Sequence, residues 1–151
     1  MDRPHSSDLR RGRHSEAGRL YLLTTVVRDR TPVFNNFWMA RLVIAQLRLA
    51  QTENACRSLA WVVMPDHVHW LVELREATLS TLMGRVKSRS TSGVNRASGR
   101  RGALWQQGYH DRAVRRDEEI REISRYIVMN PVRAGLVKSV GEYSHWDCVW
   151  L

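Results

Sequence analysis

The stretch Trp61-Val-Val-Met-Pro-Asp-His-Val-His-Trp-Leu-Val-Glu-Leu74 decides the fold of this chain. Its two apolar runs flank a Pro-Asp pair, a pattern typical of a β-hairpin. On the second strand His67 and His69 stand two residues apart, so both imidazoles leave the same face. Two ring nitrogens on one face are half of a divalent-metal site, although a pair of surface histidines has the same short signature. Other parts of the chain must decide between these interpretations.

Apolar patterning on either side of the hairpin predicts the other elements. They are a strand at 20–27, a helix at 36–54, the hairpin at 58–74, a helix at 78–90, a strand at 104–114 interrupted at Gly108, and a helix at 117–131. Residues 90–102, rich in Gly, Ser and Arg, predict a loop. Asp117 is expected to cap the last helix and Asn130-Pro131 to end it. The order β-α-β-β-α-β predicts an α+β, ferredoxin-like fold with an antiparallel sheet, followed by a C-terminal helix.

Length and composition bound the class of protein. A chain of 151 residues predicts one domain, with residues 1–19 as a flexible basic arm and 20–151 as the folded unit. Arginine supplies all but two of the 24 basic residues, and the net charge is +9. The guanidinium fork suits phosphate and base edges, so this excess favours a nucleic-acid partner, although a GC-rich genome produces the same composition. Without a membrane-length apolar run or a signal-peptide core, we expect a cytoplasmic, nucleoid-associated protein with no membrane partner.

The positive charge is concentrated between the second helix and the last strand. Residues 85–116 hold nine basic side chains against the single acid Asp111, a net charge of +8. Such one-sided charge repels itself unless a polyanion is close, so we expect DNA contacts here and in the arm. The candidate DNA-binding residues are Arg10, Arg11, Arg13, Arg85, Lys87, Arg89, Arg100, Arg101, Arg112, Arg115 and Arg116.

The last predicted helix carries a second set of candidate groups. Tyr126 and Asn130 are four residues apart and therefore share a helix face. A cation held by the two histidines needs a further ligand and an open position for a substrate oxygen, and Asn130 offers an oxygen ligand. A tyrosine that attacks a phosphodiester forms a phosphotyrosine and so keeps the bond energy for rejoining strands. Tyr109, next to Gly108, is the rival nucleophile on position alone.

Three blocks in a fixed order carry a family resemblance: Met-Pro-Asp-His-Val-His (64–69), Gly-Tyr-His-Asp-Arg (108–112) and Arg-Tyr-Ile-Val-Met-Asn-Pro-Val-Arg-Ala-Gly-Leu-Val (125–137). The chain resembles the single-tyrosine HUH, or IS200-like, transposases, and within them the REP-associated tyrosine transposases. The resemblance implies that His67 and His69 are metal ligands and that Tyr126 takes the 5′ phosphate of cleaved single-stranded DNA. It also implies that Asn130 is the third ligand. Asp66 stands where the family usually has Asn, which we expect to affect the turn more than the chemistry.

The resemblance implies a site-specific single-stranded DNA endonuclease and strand-transferase that acts at hairpin-forming repeats and depends on Mg²⁺ or Mn²⁺. Its partners would be single-stranded and hairpin DNA. The arm at 9–15 resembles the segment with which relatives read a tetranucleotide beside the hairpin. Relatives are monomers or homodimers that exchange the tyrosine helix, and the short linker before Asp117 favours a site completed in cis. The alternatives are a repeat-binding protein without catalysis and a metallonuclease that uses water.

Overall fold

A computed structural model describes residues 16–115 and 117–150, except for the side chains of Asp117 and Glu118. The strands are β1 (Leu20–Val26), β2 (Cys56–Met64), β3 (His67–Leu74), β4 (His110–Val114) and β5 (Trp146–Cys148). The helices are α1 (Phe37–Thr52), α2 (Leu79–Ser98) and α3 (Asp117–Arg133). The arm residues Arg10, Arg11 and Arg13, and Arg116 as well, lie outside the described residues. No helix in the described ranges has the length and apolar character that crossing a membrane requires.

All five strands form one antiparallel sheet with the order β4-β1-β3-β2-β5. The central hairpin β2–β3 is the one predicted from the sequence, and its register pairs Met64 with His67 across the Pro-Asp turn. Backbone bonds fix this turn from two sides, because the Asp66 carbonyl accepts from Val27 N at 2.8 Å and the Pro65 carbonyl from Phe34 N at 3.0 Å. The predicted α+β class with an antiparallel sheet is confirmed.

Apolar cores lie on both faces of the sheet. One core joins α1 and α2 to the side chains of Val68, Trp70 and Val72 on β3. The other joins α3 to Leu71 on the same strand. Because side chains alternate along a strand, the odd-numbered residues of β3 share the α3 face. His67 and His69 are therefore on the side of the sheet that α3 covers.

Residues 90–98, which the sequence analysis assigned to a loop, continue helix α2 to Ser98. The expectation was wrong because Val94 and Ser90 extend the buried stripe of the helix, and Val94 is fully buried. The Ser90 and Thr91 hydroxyls donate to the carbonyl of Lys87, so the polar side chains are satisfied within the helix. Gly99, with φ +75°, ends α2.

The prediction that Asn130-Pro131 ends the last helix is wrong by two residues. Helix α3 runs to Arg133 with Pro131 inside it. It ends at Gly135, whose φ is +74°. Gly135 N donates to the Val132 carbonyl and Leu136 N to the Pro131 carbonyl, both at 3.0 Å, which is a Schellman motif.

The last predicted strand is shorter than expected. β4 contains only residues from His110 to Val114, and the segment before it is a loop with one bridge, between Val27 and Trp105. The Lys87 ammonium holds this loop by donating to the carbonyls of Gln106 at 2.8 Å and Gly108 at 2.6 Å. Trp105 is buried, and its indole donates to Ser90 Oγ at 2.9 Å, so it is a core residue.

Candidate active site

His67 and His69 stand side by side on β3. Their ring centroids are 4.9 Å apart and the ring planes lie at 77° to each other. Both side chains are half-buried on the α3 face of the sheet. The two-residue spacing on a strand therefore converges two imidazoles, as the sequence predicted.

Each imidazole is oriented through its Nδ1 atom. His67 Nδ1 is 2.7 Å from Asp66 Oδ1. His69 Nδ1 is 2.9 Å from the hydroxyl of Thr24, which lies directly opposite it on β1. Both contacts leave Nε2 as the nitrogen that can bind a ligand. A carboxylate or hydroxyl on one ring nitrogen and an open second nitrogen are typical of histidines that ligate metals.

Burial favours a neutral histidine at position 69, and hydrogen bonds favour a carboxylate at position 66. Burial, assisted by the nearby charges of His67 and Arg133, lowers the pKa of His69 to about 4. Burial by itself raises the pKa of Asp66, but hydrogen bonds from His67 and Arg30 outweigh it, so the pKa falls below its usual value. Arg30 Nη1 donates to Asp66 Oδ2 at 3.1 Å. His69 therefore keeps a lone pair for a cation at neutral pH.

Tyr126 lies beside this pair. Its ring centroid is 5.9 Å from that of His69, and 49% of the residue is exposed. Arg133, two turns further along α3, lies with Cζ 4.0 Å from the centroid of the tyrosine ring. Arg133 Nη2 also donates to the Tyr126 carbonyl at 2.6 Å. The phenol is thus held next to the histidines while its exposure leaves it accessible to a large substrate.

The other three tyrosines are buried or half-buried. Tyr109, the rival nucleophile, is 6% exposed and belongs to the core beneath α1 and α2, on the opposite side of the sheet. Tyr21 belongs to the same core. Tyr143 donates its hydroxyl to the Val63 carbonyl at 2.5 Å, and burial raises its pKa to about 12. Accessibility to a phosphodiester therefore favours Tyr126 over Tyr109.

Asn130 follows Tyr126 by one helical turn and is half-buried. Its Nδ2 atom is buried without a hydrogen-bond partner in the described structure. This unpaired group is a donor and cannot bind a cation, so only the amide oxygen of Asn130 could serve as a metal ligand. Among the described residues no cluster of three or more His, Cys, Asp or Glu side chains could hold a metal. A cation at the two histidines would thus draw further ligands from the Asn130 amide oxygen, water or the substrate.

The candidate DNA-binding arginines do not all lie near this site. Arg85, Lys87 and Arg89 are on α2, which covers the opposite face of the sheet. Arg89 forms a two-pronged ion pair with Glu53 at 2.6 and 3.4 Å, and Lys87 is bonded to loop carbonyls. The remaining described members are exposed, as Arg85 and Arg89 are too, and Arg112 forms a 3.3 Å ion pair with Glu119 at the start of α3. These remaining members are Arg100, Arg101, Arg112 and Arg115.

Sequence reasoning missed two residues that contact the candidate groups. Arg133 could have been found from the sequence, because it follows Tyr126 by seven residues and positions seven apart on a helix share a face. Thr24 could not, because its contact with His69 depends on the register between β1 and β3. Pairing across strands that are distant in the chain cannot be read from local pattern.

Comparisons with known proteins find one matching family model and relatives in sequence and in structure. The family model described as "Transposase IS200 like" matches residues 18–130. A REP-associated tyrosine transposase of Escherichia coli K12 is 31% identical over 86 residues, which are 56% of this chain and 49% of that protein. A Haemophilus influenzae protein that is provisionally named a REP-associated tyrosine transposase is 27% identical over 139 residues, 85% of this chain and 78% of that protein. The solved structure of a REP-associated tyrosine transposase bound to a REP hairpin has a TM-score of 0.70 and 25% identity, covering 89% of this chain and 79% of that one.

Proposed function

The chain belongs to the IS200-like transposase family, and from that membership we propose that it cuts and rejoins single-stranded DNA beside a hairpin-forming repeat. Cleavage would form a covalent intermediate in which Tyr126 is bonded to a 5′ phosphate. The observation that carries the proposal is the 5.9 Å approach of an exposed tyrosine ring to the neighbouring His67–His69 pair. The named relatives support a REP-type hairpin as the substrate class.

The donor set fits a divalent cation. His67 and His69 would each contribute Nε2, and Asn130 its amide oxygen, with the remaining positions left to water and phosphate oxygens. Bound there, Mg²⁺ or Mn²⁺ would supply Lewis-acid polarisation of the scissile phosphate. Imidazole ligands suit Mn²⁺, whereas the coordination of Mg²⁺ is dominated by oxygen. Thr24 and Asp66 would hold the rings in the tautomer that leaves Nε2 unprotonated.

The transfer conserves the number of phosphodiester bonds. The Tyr126 oxygen forms a bond to phosphorus as the bond from phosphorus to the 3′ oxygen breaks. The phenol loses a proton and the leaving 3′ oxygen gains one. Attack by another 3′-hydroxyl on the phosphotyrosine reverses these steps and joins a new strand. No external energy source is required, because each bond broken is replaced by a similar one.

Arg133 is placed to hold the Tyr126 phenol and to attract the phosphate that the phenol attacks. Its guanidinium stacks on the Tyr126 ring and bonds to the Tyr126 carbonyl, which restricts the rotation of the phenol. Its charge is close enough to contribute to the lowered pKa of His69. A phosphate that approaches Tyr126 would meet the same charge.

The DNA itself would be held by exposed arginines. Arg100, Arg101, Arg112 and Arg115 have exposed side chains suited to phosphate contact, and we assign the arm residues Arg10, Arg11 and Arg13 and the linker residue Arg116 to the same role. Lys87 and Arg89 would contribute mainly by long-range electrostatic attraction, because Lys87 is bonded to loop carbonyls and Arg89 to Glu53, whereas Arg85 is exposed for direct contact. The assembly would act as a monomer or a homodimer.

Incubation with a labelled DNA pool tests the proposal. The pool carries one hairpin with a randomised single-stranded foot, so that the recognised repeat need not be known. With Mg²⁺ or Mn²⁺ present, we expect a protein–DNA adduct that survives denaturation. Cleavage without an adduct would instead identify a hydrolytic nuclease, and binding without cleavage a repeat-binding protein.

A further inference from the structure

A groove of about 710 Å³ runs along α3 on the side away from the histidines. Its apolar surface comes from Val128 and Met129 of α3 and from Trp146 and Trp150 near the end of the chain. Trp146 lies in β5, and Trp150 is 46% exposed. An exposed indole at the edge of an apolar groove is a candidate surface for stacking a base.

One wall of the groove is cationic. Arg121 and Arg125, one turn apart on α3, line it and are exposed. Neither guanidinium has an ion-pair partner among the described side chains. An indole surface next to two arginines complements both parts of a nucleotide, because the base stacks on the ring and the phosphate pairs with the guanidinium.

The helix connects the groove to the candidate active site. Successive residues of an α-helix are rotated by about 100°, so Arg125 and Tyr126 lie on adjacent flanks of α3. The buried stripe with Ile123 and Ile127 separates the two flanks on the side of the sheet. A DNA strand that crosses the exposed ridge of a helix about 10 Å wide can therefore reach both.

We propose that this groove is a subsite for an unpaired nucleotide of the DNA strand, a few positions from the phosphate that Tyr126 attacks. This inference rests on the proposed function for the identity of the strand. The base stacks on Trp150, and Arg121 and Arg125 bind the flanking phosphates. The groove thereby fixes which way the single-stranded foot leaves the site.

The test measures binding of the full chain to two fluorescent probes. One is an oligothymidylate of sixteen nucleotides, and the other is an abasic oligonucleotide with the same number of phosphates. We expect Trp150→Ala to weaken oligothymidylate binding about tenfold, the loss of roughly one stacked base, and to leave abasic binding unchanged. Arg125→Ala should weaken both probes. Trp38→Ala and Arg48→Ala are the matched controls, since both residues are exposed and lie on α1, over the opposite face of the sheet.

Equal effects of Trp150→Ala on both probes, or no effect on either, would overturn the subsite. A changed sedimentation coefficient of Trp150→Ala with unchanged DNA binding would also overturn the subsite, because the groove would then be covered by a second copy of the chain. Failure of the proposed function appears elsewhere, as the absence of a Tyr126-dependent adduct on the hairpin pool. The two failures are thus read from separate measurements.

Discussion

At the scale of single residues, the candidate site residues follow from spacing along one element, whereas Thr24, which contacts His69, does not. Spacing on one strand or one helix made His67, His69, Tyr126 and Asn130 candidates, because it determines a shared face, and the family resemblance implied their roles. The contact between Thr24 and His69 depends on strand pairing over 45 positions of the chain, which local pattern does not specify. Asp66 was expected to matter for the turn, yet it also orients His67.

Thr24 provides a test of the histidine pair. Thr24→Val removes the hydroxyl and leaves His69 Nδ1 without its partner, so we expect Mn²⁺ affinity to fall roughly 10- to 100-fold. Calorimetric titration of the chain with Mn²⁺ measures this. Thr25→Val is the matched control, because the next residue of β1 has the opposite orientation and is buried. Equal Mn²⁺ affinities of the two variants would show that the hydroxyl does not support a metal ligand.

Arg133 provides a test of how Tyr126 is held. Arg133→Ala removes a stacked cation and a hydrogen bond to the tyrosine carbonyl, so we expect single-turnover adduct formation to slow by about 10- to 100-fold. Arg133→Lys keeps the charge but not the planar fork and should recover part of the rate. A loss confined to DNA affinity, with the single-turnover rate unchanged at saturating DNA, would contradict a positioning role.

At the scale of elements, the hairpin and the order of strands and helices followed from the sequence, whereas two helix ends did not. Gly, Ser and Arg suggested a loop after residue 90, but Val94 continues the buried face of α2 and the hydroxyls bond back to the helix. Pro131 suggested a stop, but α3 continues to Arg133 with Pro131 buried in its last turn. Tertiary burial outweighed local composition in the first case, and the Schellman motif ends the helix in the second.

Gly135 tests how α3 ends. A Cβ at this position would meet no atom within 4 Å, so Gly135→Ala changes only the backbone preference at φ +74°. We expect the free energy of unfolding in urea to fall by about 1–2 kcal/mol. Gly141→Ala also adds a Cβ in open space, and its φ lies outside the left-handed region, so it should be neutral or slightly stabilising. Equal effects of the two substitutions would contradict the left-handed cap.

At the scale of the whole molecule, the net charge pointed to nucleic acid, but only the fold separates Arg89, which is ion-paired with Glu53, from Arg100 and Arg101, which form no ion pair with a described side chain. The salt dependence of hairpin binding distinguishes them. Because each phosphate contact contributes about −0.9 to the slope of log K against log salt for duplex DNA, replacing Arg100 and Arg101 together by Gln should flatten the slope by roughly 1–2. Arg89→Gln, which removes the partner of Glu53, should leave the slope nearly unchanged. An equal change in both would mean that the ion pair does not withhold Arg89 from DNA.

The central claim is that Tyr126 forms a covalent bond to DNA next to the histidine pair. The most direct measurement is peptide mapping by mass spectrometry of the adduct formed with the hairpin pool and Mn²⁺. We expect a nucleotide phosphate on the peptide that contains Tyr126, no adduct with Tyr126→Phe, and an undiminished one with Tyr143→Phe, a tyrosine whose hydroxyl is bonded to the Val63 carbonyl. An adduct that persists in Tyr126→Phe, or one that maps to Tyr109, would contradict the account.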